Sequence, residues 1–166
     1  MLIVPIGAVP ADVIEHVRLG LGPITGHDVT VAAPMALPPT SQRQYLGEAL
    51  LQELERRYAD ANAGRVVGLI DADAYAPRLN FIFGQARLPG RYAVVALPRL
   101  RNSFYGRRED PARFRERALK VTAHELGHSL GFAHCPNETC VMHFANSVFD
   151  ADRQGSRYCR RETVSQ

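Results

Sequence analysis

The 166-residue chain has only three cysteines, no apolar run near the ~20 residues that cross a bilayer, and no repeat, linker or low-complexity segment. An odd, small cysteine count argues against a disulfide framework and for a reducing compartment, here the cytoplasm. The apolar start, MLIVPIGAVP, lacks the basic region of a secretory signal and is interrupted by Pro10, Asp12 and Glu15, so it reads as a buried first strand. No masking pro-segment is expected before that strand, and control is expected from substrate access or supply. These absences point to a soluble protein without a membrane partner.

A strong charge of one sign is also missing. Twenty Lys and Arg stand against 17 Asp and Glu, for a net charge of +3 and a pI near 9.0. Arginines concentrate at 99–117 and 153–161, but Glu109, Asp110, Glu116, Asp150, Asp152 and Glu162 are interleaved. No aromatic platform accompanies them in the sequence and no nucleic-acid motif is present, so a solvated face is expected. With 46% hydrophobic residues, the chain is long enough for one core and short for two. One domain, 1–166, is expected, with residues 1–131 forming its upper half and residues 132–166 its lower.

What the chain does have is HELGHSLGFAHC, His124 to Cys135. At 3.6 residues per turn His124 and His128 share one helix face and can bind one metal. Glu125, beside them, is badly placed as a ligand of that ion but well placed to reach a water on it, the position of a general base. Gly131 can take the left-handed conformation that ends a helix, and the turn returns His134. Three neutral imidazoles leave zinc one open position, as in catalytic rather than structural sites.

The pattern HExxHxxGxxH, continued by CPNETCVM, resembles the archaemetzincins, a branch of the metzincin zinc metallopeptidases. RQY at Arg43–Tyr45, NFIFGQA at Asn80–Ala86, Arg99-Leu100 and Asn146-Ser147 fit the same pattern, so the resemblance spans most of the sequence. It implies that His124, His128 and His134 hold a catalytic zinc, that Glu125 is the catalytic acid/base, and that Met142 is the methionine of the turn beneath the metal. It also implies a second, structural zinc on four cysteines. Only Cys135, Cys140 and Cys159 are available here. The fourth place falls to Glu162, where the family's closing CxxC reads CRRE, or to His143, three residues after Cys140; a third reading leaves the second site empty. Phe144 stands two residues after Met142, where some other metzincins carry a zinc-contacting tyrosine; it has no hydroxyl to offer and reads as a core aromatic.

Hydrophobic patterning predicts strands at Leu2–Val9, Asp28–Met35, Arg65–Tyr75, Asn80–Arg87 and Tyr92–Leu100, and helices at Ala11–Leu19, Ser41–Tyr58 and Asp110–Leu130. Strands alternating with helices make the fold α/β, or α+β: a single metzincin-like domain with a mixed, mostly parallel five-stranded sheet, an active-site helix and a Met-turn region towards the C-terminus. Leu46, Leu50, Leu51 and Leu54 are core positions, and Asp71 and Asp73 a turn. Asn80, Phe81, Ile82, Phe83, Gly84 and Gln85 read as a short edge strand, which by resemblance borders the cleft and pairs with an extended substrate. Asn146 to Phe149 are expected to wall the far side, and Asp152 to Glu162 to form a last helix or turn carrying Cys159.

The leading expectation is a zinc metallopeptidase acting on peptides or proteins. Glu125 would take a proton from water polarised by the metal and pass it to the departing amine. The alternatives are a zinc-dependent peptide-binding module with little or no hydrolysis, and a nucleic-acid-associated protein using the arginines.

Overall fold

The computed structural model describes residues 1–159. Among them, β1 (Leu2–Ile6), β2 (Thr30–Val31), β4 (Val66–Ile70), β7 (Gly84–Ala86) and β8 (Tyr92–Ala96) form one five-stranded sheet in the order β2-β1-β4-β8-β7. The pairs β2–β1, β1–β4 and β4–β8 are parallel, and β7 joins β8 antiparallel at the edge. A smaller sheet, β3 (Tyr45–Leu46), β5 (Ala74–Ala76) and β6 (Leu79–Ile82), leans against it.

The central strands are apolar on both faces because both are covered. Ile3, Val67, Leu69, Ala93 and Val95 point to one side. There they meet α1 (Ala11–Thr25) and α3 (Pro111–Ser129) through Val13, Val17, Leu21, Ala118, Leu119 and Leu126. Val4, Ile6, Val66, Ile70, Val94 and Ala96 point to the other side. They cover Leu50, Leu51 and Leu54 of α2 (Gly47–Arg57). Each leucine so buried contributes about 1.5–3 kcal/mol over leaving it exposed.

Several elements differ from the sequence reading: the expected third strand breaks after Ile70 and resumes as Ala74–Ala76 in the small sheet, and the expected fifth ends at Ala96, before a turn of 3-10 helix at Pro98–Leu100. The first helix runs to Thr25, through Gly20, Gly22 and Pro23, because Val13, Val17 and Leu21 keep one buried stripe in register. Gly20 also admits Leu119 of α3, whose Cδ2 lies 2.5 Å from where a Cβ would stand. The second helix starts at Gly47 rather than Ser41, since Tyr45-Leu46 pair with Ala74-Tyr75 and residues 41–44 before them bend. The expected long second strand shrinks to Thr30–Val31, with one isolated bridge from Met35 to Ile6.

The helix that carries the histidines begins as its sequence dictates. Asp110 Oδ1 accepts the Arg113 N–H at 3.0 Å and Pro111 takes the first helical position. Arg117, 2% exposed, anchors it. Its guanidinium donates to both oxygens of Asp152 at 2.7 and 2.8 Å and to the Leu100 carbonyl at 2.9 Å. Asp152 lies on α4 (Val148–Arg153), which opens with a Ser147–Asp150 capping box. The segment that follows the histidines is thereby tied to the histidine helix. Cys159 lies beyond this short helix, outside any regular element, instead of on it.

Candidate metal centre and active site

α3 ends in a Schellman turn: Phe132 N–H donates to Gly127 O at 2.9 Å, Gly131 N–H to His128 O at 2.9 Å, and Gly131 has φ +96°. The turn carries His134 back beside His124 and His128. His124 Nδ1–H donates to Val141 O at 2.8 Å and His128 Nδ1–H to Phe132 O at 2.9 Å. A carbonyl only accepts, so in these neutral rings Nε2 carries the lone pair. His128 Nε2 nevertheless lies 3.0 Å from His124 Nε2 and 3.2 Å from His134 Nε2. Convergent lone pairs repel unless a cation lies between them, and nitrogens bound tetrahedrally to zinc at about 2.05 Å are roughly 3.3 Å apart. The donor set fits a zinc ion.

The surroundings disfavour the charged form of His124 and His134. Burial, helped by the neighbouring histidines, holds His124 down to about 4, and His134 is lowered for the same first reason. Met142 is fully buried beneath the helix, its Sδ 2.3 Å from where a Cβ on Gly127 would stand, so a glycine there admits it. Glu125 is 7% exposed, and burial alone pushes its carboxyl up to about 8 without a metal. A nearby cation pulls such a group back down.

These values set a pH signature for the metal-stripped protein. Glu125 stays protonated in the fold up to about pH 8, while the unfolded chain releases that proton near 4.5, so stability falls as pH rises between them. His124, at about 4 folded against 6.5 unfolded, has the opposite sign, confined to that lower interval. Between pH 6.5 and 8, Glu125 acts unopposed by His124. The stripped wild type should lose stability across that range and the Glu125→Gln variant should not. Urea midpoints at both pH values check this; equal losses in the two proteins contradict it.

Beside the histidines opens a cavity of about 620 Å³. Asn80, Phe81, Ile82, Phe83, Gly84 and Gln85 all line it, as do Glu125, Phe144 and Asn146. The NFIFGQA segment is not one strand, however. Leu79–Ile82 belong to the small sheet and Gly84–Ala86 to the edge of the large one, with the break at Phe83. Phe144 is no core aromatic: it is 52% exposed and its ring centre is 4.9 Å from that of His134. Of Asn146 to Phe149, only Asn146 reaches the cavity; Val148 is buried at the start of α4. Leu88 and Gln154 also line it, and nothing in their spacing marks them beforehand.

A second donor group lies behind His134. The sulfurs of Cys135, Cys140 and Cys159 fall within 4.8 Å of one another, with 3.8 Å between Cys135 and Cys159. Asn137 Nδ2 donates to Cys159 Sγ and the Cys159 N–H to Cys140 Sγ, each at 3.3 Å. His143 is outside the group whose donor atoms lie within 4.8 Å of one another, and its Nδ1–H donates to the Cys135 carbonyl at 3.0 Å. Glu162 lies outside the described residues.

The two acidic residues after β4 stay away from the centre. Asp73 accepts both arms of Arg99 at 2.7 and 2.8 Å, and Asp71 pairs with Arg101 at 2.7 Å. Aromatic rings do accompany these arginines, contrary to the sequence reading. Arg99 lies over Phe81 and Phe104, Arg101 over Phe114 and Arg107 over Phe149. Arg99 thus props Phe81 against the cavity instead of presenting a free cationic patch.

The profile of peptidase family M54 matches residues 9–165. The chain belongs to peptidase family M54. It is 39% identical to the archaemetzincin of Pyrococcus abyssi over 170 residues, which covers 97% of this chain and 90% of that one. The crystal structure of the archaemetzincin of Methanopyrus kandleri superposes with a TM-score of 0.81 at 38% identity, over 97% of this chain and 90% of that one. That of Archaeoglobus fulgidus, complexed with malonate, gives 0.80 at 32%, over 96% and 95%. This M54 protein is therefore a zinc metallopeptidase, and its substrates are peptides or proteins. No helix among its described residues is long and apolar enough to cross a membrane.

Proposed function

We propose that this M54 peptidase hydrolyses peptide bonds at the His124–His128–His134 centre, with Glu125 as the acid/base. The observation that carries this reading is the convergence of three Nε2 atoms beside a buried carboxyl group at the head of a cavity. The three imidazoles would hold zinc, which supplies a Lewis acid for the scissile carbonyl and lowers the pKa of water to about 7. Val141 O and Phe132 O fix the tautomer and the aim of two of those rings. Glu125 accepts the proton of the attacking water and delivers it to the departing amine; packed in an apolar wall, it spends no energy shedding solvent as it does so.

The edge strand would hold the substrate backbone. Phe83 O accepts Ala96 N–H at 2.8 Å and Arg87 N–H donates to Tyr92 O at 3.0 Å, which fixes the ladder's alternation. Gly84 and Ala86 fall in the non-bonded register, so their N–H and C=O groups face away from β8 and are open to an extended peptide.

We assign the thiol trio to a second, structural zinc that stiffens the loop next to His134, and Glu162 remains the candidate for its fourth ligand. Residues 1–166 then act as one catalytic unit, in which, among the described residues, helix and strands lie above the metal and residues 132–159 below it. Its reduced thiols suit the cytoplasm. Stripping the metal with a chelator should abolish cleavage of an extended peptide and adding zinc should restore it. Cleavage that survives verified metal removal contradicts the reading.

A further inference from the structure

We propose that Gly84 is the positioning residue for Glu125: the missing side chain on the edge strand is the seat that sets how far the carboxylate reaches into the cleft. A Cβ built on Gly84 would stand 2.5 Å from Glu125 Cγ, 2.8 Å from Cδ and 2.7 Å from Oε1. All three atoms belong to the arm and head of the carboxylate, so a side chain on residue 84 would displace that carboxylate within the cavity it lines. No hydrogen-bond donor among the described residues reaches that carboxylate, and burial is the sole cause of its raised pKa. Packing on bare backbone therefore sets its place.

Conformation does not demand glycine here. The glycines with positive φ are Gly7, Gly26, Gly106 and Gly131, and Gly84 is not among them. It sits in a regular β-ladder opposite Val95, where any residue adopts the backbone and glycine weakens the strand. What the position requires is space, and the group filling that space is Glu125. The same residue presents its backbone groups to the open edge, so substrate main chain and carboxylate meet at one position.

This inference rests on the reading of Glu125 as acid/base. In zinc-loaded Gly84→Ala, the carboxylate should shift by about 1 Å, a displacement that costs on the order of 100-fold in kcat. KM should stay within about twofold and bound zinc should be unchanged, a split that general loss of structure does not give. Glu125→Ala removes Cγ, Cδ and Oε1, the three atoms a Cβ on residue 84 would meet, and so frees the space it needs. In that background Gly84→Ala should cost less than about threefold, so the two changes should be strongly non-additive. Equal costs in both backgrounds overturn the proposal. Should Gly84→Ala alone fail to fold, the double variant should fold, and its failure overturns the proposal as well. Crystal structures of the zinc-loaded wild type and Gly84→Ala decide the matter without turnover. An unmoved Glu125 carboxylate refutes the role of Gly84, whereas a wild type that cleaves nothing refutes only the peptidase reading.

Discussion

Replacing Glu125 by alanine should leave zinc bound and lower kcat by about 10²–10⁴-fold, the usual contribution of a positioned acid/base. The carboxylate is outside the group of three imidazole nitrogens that converge, so its removal takes no donor from the ion. It also lies against the wall of the cavity and no hydrogen bond among the described residues depends on it, so truncation should leave the fold intact. Zinc content by elemental analysis, kcat and KM on a cleaved peptide, and thermal stability together separate the outcomes. Loss of zinc along with activity would move Glu125 into the ligand set, and full turnover would remove it from the chemistry.

His128→Ala should give the opposite pattern. His128 Nε2 is the nitrogen closest to both others, at 3.0 and 3.2 Å, and its loss leaves two imidazoles that no longer enclose a cation. Metal affinity should fall by more than the roughly 10–100-fold that removing an outer hydrogen-bond partner costs. With both donor groups filled, the wild type should carry two zinc ions per chain and the variant one, the ion on the cysteine trio being retained. Two ions retained in His128→Ala contradict the assignment. The variant should also lose the share of its thermal stability that zinc confers by binding only the folded state.

The converging histidines are legible in the sequence because their geometry is local. Four residues on a helix define one face, Asp110-Pro111 starts that helix and Gly131 ends it. The fold class is legible because strands buried on both faces lose alternation while the helices between them keep a 3.6-residue stripe. What escapes is set by distant neighbours. Tyr45-Leu46 becomes a strand only because Ala74-Tyr75 lies alongside, and NFIFGQA breaks at Phe83 because two sheets claim its halves. Phe144 is an apolar residue exposed at a cleft rim, which patterning reads as core. The need for glycine at position 84 comes from a side chain on another element, and no periodicity along β7 records it.

The most direct measurement is to incubate the zinc-loaded protein and its Glu125→Ala variant, side by side, with a diverse peptide library and identify products by mass spectrometry. Cleavage by the wild type alone is the predicted result, and the cut positions would define the residues the cleft accepts. No products from either protein with zinc confirmed at the histidines, or equal products from both, would contradict hydrolysis driven by Glu125.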